Sequence, residues 1–171
     1  MNPTELKSQA EQYLTFTLGH NVFAIETKMV REVLEYPRIT KVPRLPHYLT
    51  GVINLRGGIV SIIDLHVMLA ADIIDQTADT CIIIVEVKTE HDSFKTGLMA
   101  DSVQEVVYYR PDQIGPPPTL GTKINPIFMR GIVNKDDQYT IILNIEKIFA
   151  VVEADVATAD SPEFHRSASM E

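Results

Sequence analysis

Apolar positions along this chain alternate with polar ones far more often than they recur at helical spacing. Tyr13-Leu-Thr-Phe-Thr-Leu18 places Leu14, Phe16 and Leu18 on one face of a strand. Gly19-His20-Asn21 turns the chain, and Val22 to Ile25 returns. Val30, Val33 and Leu34 fit either period, and the favoured reading of Lys28 to Glu35 is a short turn near Glu26 to Met29 followed by a strand. Short strands are expected at Ile39 to Val42, Val52 to Leu55 and Ile59 to Ile63. Gly57-Gly58 joins the last two, because glycine reaches positive φ without a Cβ clash. Cys81 to Val85 is continuously apolar, which suits a strand buried on both faces. After a hairpin loop at Lys88 to Ser93, the strands Phe94 to Ala100, Val103 to Tyr108, Phe128 to Val133 and Tyr139 to Leu143 complete the set. Helical stripes are confined to Leu65 to Ala70 and Ile145 to Phe149. They follow Asp64 and Asn144, side chains that accept a backbone N–H and start a helix.

The pattern occurs twice. Gly51 to Leu69 and Gly131 to Phe149 align without a gap: glycine, apolar pair, Asn, polar turn, apolar run, Asp or Asn, apolar helical stripe. Val30-Arg-Glu-Val33 likewise matches Val103-Gln-Glu-Val106. The segments before each glycine, 37–50 and 110–130, hold Pro37, Pro43, Pro46, Pro111, Pro116, Pro117, Pro118 and Pro126, so loops or edge strands stand in corresponding places. An internal duplication follows. A sheet of about five short strands cannot cover its own apolar face, and closing it into a small barrel does so. The expected architecture is mainly β: two five-stranded β-barrel lobes with short helices. Residues 1–12 form a polar N-terminal segment. Lobe one spans about 13–71 and lobe two about 80–149 within a domain of 13–153, with chain ends able to cross over. Asp72 to Asp79 is a linker, and 154–171 is a mobile tail.

Composition narrows the functions. The chain has 171 residues, 45% of them apolar, and a formal net charge of −8. It has no clustered Lys and Arg, which argues against nucleic acid as a partner. The first twelve residues lack the apolar core of a signal peptide, and no apolar run approaches the ~20 residues that cross a bilayer, so a cytoplasmic protein is expected. Cys81 is the only cysteine, which excludes an intrachain disulfide and a cysteine-rich metal site.

The chain offers little chemistry. His20, His47, His66, His91 and His165 share no metal-ligand spacing and are expected to be solvated or loosely packed. Ser61 lies within an apolar strand and lacks the sharp turn that exposes a nucleophile. Gly57-Gly58 does not open a helix, so no phosphate loop is indicated, and Asp72, Asp75 and Asp79 lack calcium-loop spacing. Asn144 in Asp64's place preserves a cap rather than a charge, which argues against Asp64 as a catalytic acid. Glu32, among Val30, Arg31 and Val33, and Arg56, on the turn before Gly57, are charges in apolar context. They suit a polar contact point in which the two pair with each other; ordinary surface charge is the plainer reading.

Gly51-Val-Ile-Asn-Leu-Arg-Gly-Gly-Ile-Val-Ser-Ile-Ile-Asp-Leu65 resembles the signature of the CheW family of bacterial chemotaxis coupling proteins. Tyr36-Pro-Arg-Ile-Thr-Lys-Val-Pro-Arg-Leu-Pro46 and Phe16-Thr-Leu-Gly-x-x-x-Phe-Ala-Ile25 are similar to that family too, so the likeness runs from about Tyr13 to Val152. Ser61 stands where the family commonly has proline. The resemblance implies two SH3-like barrels and a non-enzymatic adaptor, with no cofactor and no metal. It implies two partners, the cytoplasmic tip of a chemoreceptor and the regulatory domain of the histidine autokinase CheA. It places Val30, Glu32 and Arg56 in receptor binding, and Gly51 and Ile59 in coupling with the partner unassigned. Leu45 and Tyr48, with Ile59, are weaker candidates for kinase contact. A groove between the barrels would take an amphipathic helix. The protein would be a monomer alone, without membrane insertion, and clustered in receptor arrays through its partners. A coupling protein of a related chemosensory pathway, such as surface motility, is the alternative.

Overall fold

The computed structural model describes residues 9–118 and 123–159. Its strands form two sheets. The five-stranded sheet comprises β3 (Val30–Glu35), β4 (Leu49–Leu55), β5 (Gly58–Asp64), β6 (Cys81–Lys88) and β7 (Ser93–Ala100), in the order β3-β6-β7-β5-β4. The six-stranded sheet comprises β1 (Glu11–Leu18), β2 (Asn21–Glu26), β8 (Ser102–Tyr109), β9 (Ile114–Gly115), β10 (Met129–Lys135) and β11 (Gln138–Leu143), in the order β8-β1-β2-β11-β10-β9. Helix α1 (Leu65–Met68) follows β5, and α2 (Ile145–Ala159) follows β11.

Apart from the short β9, the two orders correspond strand for strand, and the duplication is visible in detail. Each sheet is antiparallel except for one parallel pair, β5 with β7 and β2 with β11. In β3, Val30 faces Val85 and Glu32 faces Ile84, leaving Arg31 as a bulge. In β8, Val103 faces Phe16 and Val106 faces Leu14, which puts the bulge at Gln104 and Glu105. A second bulge precedes Gly51 in β4 and Gly131 in β10. An insertion that disrupts a ladder is not retained twice at matching positions by accident of packing.

The sheets do not follow the halves of the chain. The hairpin β1–β2 joins the strands of the second half, so the lobes are residues 30–100 and residues 11–26 with 102–143. The chain crosses between them at the 3-10 turn Thr27–Met29 and again at Asp101. Alternation reports which face of a strand is apolar, not which sheet accepts the strand, so the lobe boundaries expected above are redrawn here.

Two other expectations change. Ile39 to Val42 forms a single bridge, Thr40 with Val52, rather than a strand; Pro37 and Pro43 bracket it and cannot donate to a ladder. Residues 154–159, expected to be tail, continue α2. Val152 is buried on the inner face of this helix, and Tyr48 donates a hydrogen bond to Asp155 Oδ2 at 2.5 Å, which fastens the last turns. Residues 1–8 and 160–171 lie outside the described residues.

Each lobe has its own interior. Ile53, Val60, Ile62, Ile82 and Ile84 fill the five-stranded lobe, and Tyr13, Ala24, Tyr109, Val133 and Ile142 fill the six-stranded one. A third and larger cluster lies between them, where Phe16, Leu18, Phe23 and Ile25 meet Ile63, Leu65, Ile83, Val85 and Leu98. Strand β6 serves both: Ile82 and Ile84 point into the lobe, while Cys81, Ile83 and Val85 point into the seam. The seam is therefore solid core, and the groove expected between the lobes is absent at its centre.

Candidate docking surface

Arg56 is placed by its turn. The β4–β5 hairpin closes through Arg56 and Gly57, with φ of 50° and 83°, the left-handed pair of a two-residue hairpin. Asn54 Oδ1 accepts the Gly57 N–H at 3.1 Å and supports that backbone. The matching hairpin at Asp136 and Asp137 has φ of 53° and 61°. Glu32 is placed by its bulge, which brings it to the rim of the five-stranded lobe. The two side chains meet as a bidentate pair, Arg56 Nη1 to Glu32 Oε1 at 3.1 Å and Nη2 to Oε2 at 2.6 Å. Hydrogen bonding to Arg56 holds the Glu32 carboxyl below the usual carboxylate range, with burial acting the other way. The pairing anticipated between these charges is present. It links the edge strand β3 to the tip of the hairpin at the sheet's opposite side, so the sheet curls until its ends are joined by a salt bridge.

Beside Arg56 lies an open groove of about 680 Å³, lined by Ile59, Ser61, Phe94, Lys95 and Phe149 among others. Phe94 and Phe149 pack with ring centroids 5.2 Å apart, which joins α2 to β7. Ile59 is 76% exposed, an apolar side chain standing in solvent at the groove's edge. The other expected residues sit differently. Val30 and Leu45 are half-buried against the central core. Gly51 is buried, and a Cβ there would lie 2.2 Å from the Thr40 carbonyl oxygen, so its glycine admits the 37–50 loop rather than a partner. Tyr48 is buried with its hydroxyl on Asp155, and its phenol is pushed well above the usual range by burial first and by Asp155 second. Exposed contact area at the surface thus comes from Arg56, Ile59 and the groove. Phe94, Lys95 and Phe149 carried no sequence signal, because their proximity depends on α2 folding back over β7.

His66 is neither solvated nor loosely packed. It is 5% exposed, with Nδ1 3.0 Å from Asp64 Oδ1 and Nε2 2.9 Å from Asp101 Oδ1. Asp101 Oδ2 also accepts the Gly19 N–H at 2.6 Å. Hydrogen bonding to Asp64 raises the imidazole to about 9, against the opposing effect of burial and with Asp101 adding to it. Asp64 caps α1 as expected, accepting from the His66 N–H at 3.0 Å. The network ties α1 of one lobe to the β1–β2 turn of the other at the residue where the chain crosses between them. Among the described residues no cluster of His, Cys, Asp or Glu suits a metal ion, and no helix is long and apolar enough to cross a membrane.

A family model described as the CheW-like domain matches residues 12–153. The chain belongs to the CheW family. Among its relatives is the probable chemotaxis protein CheW of Rhizobium etli, 30% identical over 146 residues, covering 85% of this chain and 92% of that one. The chemotaxis protein CheW of Klebsiella aerogenes is 29% identical over 143 residues, 84% of each chain. The crystal structure of the scaffolding protein TtCheW from Thermoanaerobacter tengcongensis superposes with a TM-score of 0.73 at 34% identity, covering 80% of this chain and 85% of that one. The mainly β, two-sheet CheW architecture is therefore shared with a solved scaffold, as the resemblance implied.

Proposed function

We propose that this chain is a non-enzymatic adaptor of bacterial chemotaxis, coupling the cytoplasmic tip of a chemoreceptor to the regulatory domain of the histidine autokinase CheA. The observation that carries the reading is the arrangement on the five-stranded lobe of a CheW-family chain. A preformed charged pair on the rim stands beside a groove of mixed lining that is edged by the exposed Ile59, which allows two contacts of different chemistry. The receptor hairpin docks against the rim, with Val30 as apolar support and Glu32 and Arg56 setting its register. Because the two charges already hold one another, they contribute orientation more than raw affinity. The kinase barrel packs on the groove through Ile59, with Leu45 as an outlying contact. Tyr48 and Gly51 act from beneath, by fixing the 37–50 loop and α2. Coupling consists of the receptor's state biasing which arrangement of the attached kinase is populated, and clustering of many copies raises the effective concentration of each contact.

Reconstitution of receptor, kinase and this chain tests the assignment. Glu32→Lys and Arg56→Glu, made singly, are expected to weaken receptor coupling while the far-ultraviolet circular dichroism stays that of the parent. Unchanged kinase control in both variants refutes the placement of the receptor contact. Ile59→Asp puts a charge on the exposed apolar contact and is expected to weaken kinase binding by at least about tenfold, or ~1.4 kcal/mol. Titration calorimetry with the isolated kinase regulatory domain reads this directly, and an unaltered affinity removes Ile59 from that interface.

A further inference from the structure

The two sheets leave four outer strands, and three of them are protected. β4 is covered by the 37–50 loop, where the Thr40 N–H donates to the Val52 carbonyl and the Val52 N–H to the Thr40 carbonyl at 2.9 and 2.8 Å. β9 has two residues and is flanked by Pro111 and by Pro116 to Pro118. β3 carries Arg31, Glu32 and Glu35, with Arg31 paired to Glu86 and Glu32 clamped by Arg56. Short length, proline, charge and cover are the devices by which an edge avoids pairing with another chain.

β8 is the least protected of the four. It runs eight residues without proline, pairs with β1 alone among the described residues, and carries one charged residue, Glu105, at its bulge. On its outward face Val106 is 48% and Tyr108 66% exposed. The duplication shows what is missing. Glu105 corresponds to Glu32, and Asp136 corresponds to Arg56 at the first left-handed position of the matching hairpin. Where the five-stranded lobe sets a guanidinium against its rim carboxylate, the six-stranded lobe sets a second carboxylate, and Glu105 and Asp136 line one cavity of about 400 Å³ with Gln104, Tyr108, Lys135 and Gln138. Glu105 has no ion-pair partner among the described residues.

We infer that the free edge of β8 docks an extended, basic segment of a partner polypeptide, which adds as a seventh strand and sets a Lys or Arg side chain between Glu105 and Asp136. Backbone hydrogen bonds to the open edge supply affinity, and alternate side chains on Val106 and Tyr108 supply selectivity. The inserted cation does for this lobe what Arg56 does for the other. The surface lies on the lobe opposite the charged pair and Ile59, so it is available to a third component.

The test uses the full chain and a fluorescein-labelled, capped peptide, Lys-Val-Thr-Val-Arg-Val-Thr, followed by fluorescence anisotropy. Saturable binding is expected, weakened at least about tenfold by Glu105→Lys and abolished when alternate peptide nitrogens are methylated, which removes strand donors and keeps the charge. The methylated probe leaves the protein unaltered, so its result stands even if the variant misfolds. Equal binding of methylated and unmethylated peptides reduces the effect to charge adsorption and overturns the proposal. So does no saturation up to about 1 mM peptide. Sedimentation velocity supplies the remaining arm: concentration-dependent self-association that Val106→Lys abolishes gives the edge to a second copy instead, and also overturns it.

Discussion

Raising the pH from 6 to 10 is expected to destabilise this protein, with the loss centred between about 6.5 and 9. The cause is His66, whose imidazolium is held between Asp64 and Asp101. Its folded value of about 9 lies above the ~6.5 of an unfolded histidine, so the protonated form is the one that folding favours. The contribution is complete below about pH 6.5 and disappears as the pH rises through 9. A gap of that size corresponds to about 3 kcal/mol. Urea unfolding at a series of pH values measures it, and His66→Gln should both lower stability at neutral pH and flatten the profile. A parent profile already flat over this window means that His66 folds neutral and that the Asp101 contact is an ordinary hydrogen bond. Asp101→Ala is expected to cost about 1–3 kcal/mol at pH 7, because it leaves the His66 imidazolium with Asp64 alone and the Gly19 N–H without its acceptor.

The second large effect belongs to Gly51. A side chain there collides with the Thr40 carbonyl and with Ile39 Cγ2, and the first of these is backbone that no rotamer change can move aside. Gly51→Val should therefore expel the 37–50 loop from the edge of β4 while the strand ladders persist. Overpacking of this kind costs about 1–3 kcal/mol, enough to raise the open population of the loop roughly 5- to 150-fold. Limited trypsin digestion reports it, since Arg38, Lys41 and Arg44 lie within the loop. Faster cleavage at these three bonds, with slow cleavage elsewhere, is the expected pattern. The same experiment separates a positioning role for Gly51 from direct contact: a displaced loop weakens any interface built on Leu45 and the end of α2 without removing a contacting side chain. Gly131→Val makes a parallel case against the Gly115 carbonyl and β9.

The parts of this molecule that were legible before its structure are those decided by neighbours in the chain. Asp64 and Asn144 cap their helices because capping is a matter of two or three residues. The turn at Asp136-Asp137 falls where expected, while the one expected at Gly57-Gly58 falls one residue earlier, at Arg56-Gly57, with Gly58 already in β5. Cys81 to Val85 is buried on both faces because nothing polar interrupts it. The charges at Glu32 and Arg56 were conspicuous in an apolar context, and the repeat that brackets them made a shared face a reasonable expectation. Sheet membership was not legible. The faces of β1 and β2 fit either lobe, and the choice is made by pairing with β8 and β11, far along the chain. His66 was misread for the same reason, since Asp101 is 35 residues away and a lone histidine after a helix cap looks solvated. The groove at Ile59 depends on α2 reaching Phe94, and the filled seam depends on both outer faces being apolar at once.

The crossed connections set an order on biosynthesis. Residues 30–100 contain every strand of the five-stranded lobe, so that unit can close once they have left the ribosome. The hairpin at residues 11–26 emerges before that lobe, yet its parallel neighbour β11 emerges after it. Until then Phe16, Leu18, Phe23 and Ile25 have only the finished lobe to shelter against. Truncation anywhere before residue 138 leaves the hairpin at residues 11–26 without its parallel partner, and strands made before the five-stranded lobe are locked after it.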